Sequence, residues 1–194
     1  MLKYPETKPS VPEDLHGWFD DRNKDFLKPL IENAKVIVEL GAWLGTSTRW
    51  FCANSGGIVY SVDHWKGSIE HQTRKSLQDK LPTIYDTFIV NCWSFKDRII
   101  PIKMTTVPGM HYIADNDIKP DIIFVDASHE YEDVLADLET ASKLFPNAVL
   151  VGDDWSWKNR LKEKRKTVKE AVKTFCKKYK FKCRHNTRCW QIIK

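Results

Sequence analysis

The chain is poor in the features that mark most specialised protein classes. No apolar run approaches the roughly 20 residues of a membrane-spanning helix. The opening stretch, MLKYPETKPSVPEDLHGWF, has no apolar signal-peptide core, so a reducing, cytoplasmic setting is the expectation. Cysteine usage agrees: there are five cysteines, an odd number, and no two are spaced C-x-x-C. Cys176, Cys183, His185 and Cys189 lie close together near the end, but their spacing fits no common zinc motif, which favours ordinary buried thiols. Internal repeats and low-complexity linkers are absent too. What remains is a chain of 194 residues, 42% hydrophobic and 29% charged, the composition of one globular domain with a substantial core rather than a disordered segment.

The net charge of +5 hides an asymmetry. Residues 158–194 hold 15 Lys and Arg against Glu163 and Glu170, whereas residues 1–157 are net negative by eight. The basic part centres on KNRLKEKRKTVKEAVKTFCKKYKFK, where Val168, Val172, Phe175 and Tyr179 recur at helical spacing. An amphipathic helix with a basic outer face is expected there. Such a face is either simply solvated or a dock for nucleic acid, an anionic glycan or a membrane headgroup.

Apolar runs and helical stretches alternate along the rest of the chain. EDLHGWFDDRNKDFLKPLIEN reads as a helical lead-in and KVIVEL (35–40) as a first buried strand. GIVYSVD (57–63), RIIPIKM (98–104), PDIIFVD (120–126) and AVLVGDD (148–154) read as further strands. SIEHQTRKSLQDK, TIYDTFIVNCWSF and YEDVLADLETASKLF read as helices between them. YKFKCRHN and RCWQIIK, joined by a turn near Asn186, read as a closing antiparallel hairpin. This order predicts an α/β fold: a doubly wound, mostly parallel sheet with helices on both faces.

Ligands of such sheets bind beyond the carboxyl ends of the strands. The strands here end in Glu39, Asp63, Met104–Thr105, Asp126 and the pair Asp153–Asp154. The first turn, ELGAWLGTST, carries Gly41 and Gly45 at G-x-x-x-G spacing and then opens a helix with Thr46 and Ser47. Glycines allow a sharp turn and a close approach of ligand to backbone, and a helix amino terminus attracts an anion. Asp63 follows Gly41 by 22 residues, where an acid can accept both hydroxyls of a ribose.

With these residues in view, the chain from about Val36 onward resembles the class I S-adenosylmethionine-dependent methyltransferases. The motifs VDHWKGS, VDASHEYEDVLADLE and VGDDW are similar to a subfamily of small O-methyltransferases that includes sugar-modifying enzymes. The resemblance implies a single domain over 1–194, with a lead-in on the substrate side (1–34) and a cofactor-binding core (35–194). It also implies a seven-stranded Rossmann-like sheet of order 3-2-1-4-5-7-6. S-adenosylmethionine would lie over Glu39, Gly41, Ala42, Trp43 and Gly45, with Thr46 and Ser47 at its amino-acid end. Asp63 would take the ribose, His64 and Trp65 would flank the adenine, and Met104, Thr105 and Asp126 would meet its edge.

Asp126, Asp153 and Asp154 would then converge beside the methyl donor. An all-oxygen, carboxylate-rich set suits Mg²⁺ or Mn²⁺ better than zinc. The arrangement is similar to the metal site of catechol and macrolide-sugar O-methyltransferases. Where the catechol enzyme has its catalytic lysine this chain has His129, and where the sugar enzymes have an aspartate it has Ser128. His129 is therefore the candidate base with Asp126 beside it, against a plainer role as a helix-entry residue. Trp18, Trp155 and Trp157 are candidates to wall the acceptor, whereas Trp50 and Trp190 read as core. The expected acceptor is a small hydroxyl compound, with sugars and glycans among the candidates. Three other readings stay open: a metal-independent small-molecule methyltransferase in which the aspartate pair is a solvated turn, a nucleic-acid methyltransferase docking through the basic helix, although no N-P-P-Y-type motif follows the fourth strand, and a non-catalytic cofactor-binding module.

Overall fold

A computed structural model describes residues 3–157 and 167–194. Helix α1 (Asp21–Ile31) leads into β1 (Val36–Leu40), α2 (Thr46–Asn54) and β2 (Ile58–Val62). Two short helices follow, α3 (Ile69–Thr73) and α4 (Lys75–Gln78), and then α5 (Ile84–Asn91) and β3 (Ile99–Ile102). The chain continues through α6 (Thr106–Asp115), β4 (Ile122–Val125), α7 (Tyr131–Leu144) and β5 (Val149–Gly152). It closes with α8 (Val168–Tyr179), β6 (Lys182–His185) and β7 (Trp190–Ile193). The seven strands form one sheet of order β3-β2-β1-β4-β5-β7-β6, as the sequence resemblance implies, with β7 antiparallel to both its neighbours.

Alternation along each strand builds the two cores. Val38, Leu40, Ile123, Val125 and Leu150 face α6, α7 and α8, whereas Ile37, Ile122, Phe124 and Val151 face α1, α2 and α5. The register then fixes where function can sit. Leu40 pairs with both Val62 and Val125, and Val125 pairs with Gly152. The residues just past these ends, Gly41, Asp63, Asp126 and Asp153, therefore emerge along one edge. The ladder runs one bond further: Gly41 N donates to Val62 O (2.8 Å), Asp126 N to Leu40 O (2.8 Å) and Asp153 N to Val125 O (3.2 Å).

Two expectations change. The lead-in is helical only from Asp21; residues 13–20 run non-helically across the sheet edge as a strap. Asp20 starts the helix because its side chain accepts from Arg22 N while Asn23 reaches back to Asp20 N, a capping box that needs an extended residue at the cap. The stretch read as one helix after β2 breaks into α3 and α4 at Arg74, whose extended backbone interrupts the turn. The basic helix is present over Val168–Tyr179, with Val168, Ala171, Val172, Phe175 and Cys176 buried and a Thr167–Glu170 capping box. The expected basic run at 158–166 lies outside the described residues. Among those described, no helix is long and apolar enough to cross a membrane.

One buried carboxylate lies between two helices rather than at a strand end. Asp137 of α7 is almost wholly buried and accepts from Thr106 Oγ1 of α6 (2.5 Å). Burial pushes its pKa up to about 7, against a partial opposing effect of the Thr106 hydrogen bond. Between roughly pH 4 and 7 the folded chain keeps a proton that the unfolded chain has released, so stability falls as pH rises through that window. The slope per group is at most about 1.4 kcal/mol per pH unit. Asp137→Asn removes this contribution. Denaturant unfolding at pH 5 and pH 8 should show a smaller stability loss in the variant than in the wild type, and an unchanged loss would show that Asp137 is ionised throughout.

Candidate active site

The turn after β1 is held from below and from the side. Glu39, fully buried, accepts from Ser47 Oγ and Thr48 Oγ1 (2.5 Å each) and from Ser61 Oγ (2.9 Å). It thereby pins the first turn of α2 to β1 and β2. Burial raises its pKa to about 7 despite those three donors. Asp63 braces the same loop: its Oδ2 accepts from Ala42 N and Trp43 N (3.0 Å each), and its Oδ1 from Trp65 N (2.6 Å). Gly41 has φ +90°, and a Cβ there would overlap the Asp126 carbonyl, so only glycine fits.

Above this loop lies a cavity of about 540 Å³, within the range of small-molecule sites. Gly41, Ala42, Trp43, Thr46, Ser47, Asp63 and His64 line it on the donor side, and Asp126, His129, Asp153, Asp154 and Trp157 on the other. The strap contributes Gly17, Trp18 and Phe19. It is held by the Asp14–Lys80 ion pair and by Asn91, whose amide donates to Asp14 O and Leu44 O (2.7 Å each). Gly17 lies against Thr46, where any side chain would overlap the threonine hydroxyl. Trp43 Nε1 and Thr46 Oγ1 are buried without a hydrogen-bond partner among the described residues, which fits a ligand that supplies one.

The remaining expected cofactor residues stand elsewhere. Glu39, Gly45, Trp65, Met104 and Thr105 do not line the cavity. Glu39 supports the loop from beneath, and Gly45, at φ +82°, is the amino-terminal cap of α2. Trp65 is buried against Tyr85 and Phe88, and its Nε1 donates to Trp43 O (3.0 Å). Met104 packs on the α6–α8 side of the sheet, and Thr105 caps α6.

The two adjacent aspartates after β5 reach one place through an exception to strand geometry. Consecutive residues of an extended strand point to opposite faces. Asp154 has φ +61°, a left-handed conformation that turns its carboxylate back beside that of Asp153. One oxygen each from Asp126, Asp153 and Asp154 lie within 4.8 Å of one another, the one such acidic, His or Cys group among the described residues. The C-terminal cysteines and His185 form no such group there. Burial, and then repulsion from Asp153 and Asp154, raises the Asp126 pKa well above its ordinary value. Burial and Asp154 raise that of Asp153 to about 6.

Histidines, aromatic rings and one arginine complete the site. His129 Nε2 lies 2.7 Å from Asp154 Oδ2, and its ring stacks on Trp157 at 4.4 Å. Trp155, expected beside Trp157, is instead 4% exposed and stacked on His185, away from the cavity. A turn closed by Trp157 N donating to Asp154 O (3.0 Å) separates the two rings. Three further lining residues carried no signal in the sequence. His71 stacks on Trp43 (4.1 Å) and Trp18 (5.7 Å), and burial lowers its pKa to about 4. Gly17 comes from a stretch read as helix. Arg188, in the β6–β7 turn, donates from Nη2 to Asp153 Oδ2 (2.8 Å).

A family model described as a methyltransferase domain matches residues 38–155, more than half of the chain. No curated protein sequence matches it. Among solved structures, an O-methyltransferase from Bacillus cereus in complex with S-adenosylhomocysteine (SAH) superposes with a TM-score of 0.56 at 18% identity, over 90% of this chain and 82% of that one. The mycinamycin-pathway methyltransferase MycE, in complex with Mg, SAH and mycinamycin VI, gives 0.60 at 16% identity, over 91% of this chain and 49% of that one, so this chain spans about half of it. An apo TDP-rhamnose 3′-O-methyltransferase of calicheamicin biosynthesis gives 0.55 at 14% identity, over 90% and 81%. At such identities the likeness is one of fold. The chain belongs to the methyltransferase-domain family, and its fold is that of the S-adenosylmethionine-dependent class I enzymes.

Proposed function

We propose that the protein transfers a methyl group from S-adenosylmethionine to a hydroxyl of a small molecule, with a sugar as the favoured class, assisted by a divalent cation at Asp126, Asp153 and Asp154. The observation that carries this reading is the meeting of three carboxylates and His129 at the wall of the cavity facing the glycine loop. The donor set fits a hard cation: opposite oxygen ligands of such an ion stand about 4–5 Å apart, the span of the three aspartate oxygens. When bound, the donor supplies an electrophilic methyl carbon, and the cation a charge that favours loss of the acceptor's proton.

This chain's residues then have distinct tasks. Gly41, Ala42 and Trp43 present backbone to the donor, and Asp63 keeps that backbone in place. The strap and Trp157 wall the cavity and restrict water. His129, oriented by Asp154 and by the Trp157 ring, accepts the hydroxyl proton as the acceptor oxygen bonds to the methyl carbon and the carbon–sulfur bond breaks. Trp18 and Trp157 offer ring faces suited to a sugar. Two of the similar structures support the sugar class: MycE holds mycinamycin VI, and the calicheamicin enzyme is named for TDP-rhamnose.

Calorimetry with SAH, with and without Mg²⁺, tests the reading. SAH is expected to bind, and Mg²⁺ to bind alongside it; SAH binding with no heat from Mg²⁺ would leave a metal-independent enzyme. A nucleic-acid substrate is the second reading, favoured by Lys173 and Lys177 exposed on α8 and by Lys182 and Arg184 on the edge strand β6. Steeply salt-dependent RNA binding, together with RNA methylation, would replace the small-molecule assignment.

A further inference from the structure

The positive charge beside Asp153 belongs to the chain itself. Arg188 Nη2 is 2.8 Å from Asp153 Oδ2, and Nη1 is 3.7 Å from Asp154 Oδ1, so one guanidinium faces both aspartates. We propose that Arg188 sets the affinity of the carboxylate centre for a divalent cation by occupying the Asp153 side of the site until a cation displaces it. This inference rests on the cation-assisted reading above.

Three features of the site carry it. Asp153 is 2% exposed, and both its oxygens already face protein groups: Oδ2 accepts from Arg188, and Oδ1 lies 4.0 Å from Cys189 Sγ. At Asp153 Oδ2 the guanidinium therefore competes directly with an incoming cation. Second, Arg188 has another anchor. The same Nη2 donates to the Trp18 carbonyl of the strap (2.8 Å), so leaving Asp153 does not release the side chain from the wall of the cavity. Third, Arg188 Nε is buried and has no hydrogen-bond partner among the described residues, so the fork is only partly satisfied where it stands. A guanidinium within 4 Å of two ligand carboxylates also repels an incoming dication directly, in a part of the protein where screening is weak. Arg188 thus acts as a positioning residue: with no ion bound it neutralises part of the carboxylate charge, and it opposes any cation that binds weakly.

Mn²⁺ binding reads this without reference to turnover. The full chain, saturated with SAH, is titrated with Mn²⁺ and the free ion followed by electron paramagnetic resonance, for wild type, Arg188→Met and Arg188→Gln. The neutral amide of Gln can still donate to Asp153, so it serves if the Met variant unfolds. Removing the guanidinium should tighten Mn²⁺ binding at least ten-fold in either variant, and binding seen only in the variants would equally support the proposal. Equal or weaker binding in the variants overturns it and leaves the cation-assisted reading standing. No Mn²⁺ binding in any of the three proteins, with SAH bound normally, overturns both.

Discussion

Replacing Asp153 by asparagine lowers methyl transfer to the true acceptor by at least about a hundred-fold, with SAH affinity changed by no more than a few-fold. Asn keeps the shape of the side chain and one oxygen to accept from Arg188, so the loss falls on charge rather than on packing. The missing charge removes one of three carboxylates that would stabilise a cation and the ionising acceptor; a single electrostatic contributor of this kind accounts for about 10²–10³ in rate. Asp153→Ala is the harsher variant. It strips a buried partner from Arg188, and breaking a buried ion pair on one side costs about 3–5 kcal/mol, so some of its effect would be structural. Rate measurements on both variants, with and without a chelator, separate the two causes. Unchanged methylation in Asp153→Asn, chelated or not, would end the cation-assisted reading.

A second large effect is expected at Gly41. Its φ of +90° is costly for any residue with a Cβ, by about 1–2 kcal/mol. The added methyl would also overlap the carbonyl and backbone of Asp126 and the Cα of Ala127. Neither neighbour is a flexible side-chain end that could move aside. In Gly41→Ala either the loop rises into the cavity or the end of β4 retreats, and both displace Asp126 from the donor. SAH affinity should fall by at least about a hundred-fold, equivalent to about 2.7 kcal/mol. Gly56→Ala is the control, because among the described residues a Cβ there meets nothing within 4 Å. Its SAH affinity should match the wild type. If Gly41→Ala also binds SAH normally, the loop is not the donor's seat.

Much of this site was legible because it depends on strand ends. Short, near-continuous apolar runs mark the strands, and the polar residues just past them, Asp63, Asp126 and Asp153, are brought to one edge by parallel register alone. Gly41 was legible for a similar reason, since glycine after a buried strand signals a turn other residues avoid. The roles of Glu39 and Trp65 were not. Their positions suggested the cofactor, but whether a side chain at a strand end points up into a cavity or down into the core depends on the helices packed against it. Three hydroxyls converge on Glu39, two from α2 and one from β2, and none of those distances is written in local spacing.

The same distinction separates the two tryptophans after β5. Two residues apart, Trp155 and Trp157 would share a face in an extended segment. The turn closed by Trp157 N on Asp154 O instead puts one ring on His185 and the other on His129. The strap shows the reverse case: residues 13–20 lean on Asn91, Lys80 and Thr46, long-range contacts that outweigh a local helical pattern.

By itself the sequence determined the doubly wound sheet, its closing hairpin, the edge on which ligands bind and the residue types gathered there, because these follow from short-range periodicity and from register. Only the tertiary structure decided what stands between the carboxylates. Asp153 and Arg188 are 35 residues apart and meet because β7 returns antiparallel to β5, setting Trp190 against Gly152 and the hairpin turn over the strand's end. A buried pair of carboxylates is relieved by a bound proton or by a counter-charge nearby, but where the counter-charge comes from depends on how the chain closes on itself, not on any motif.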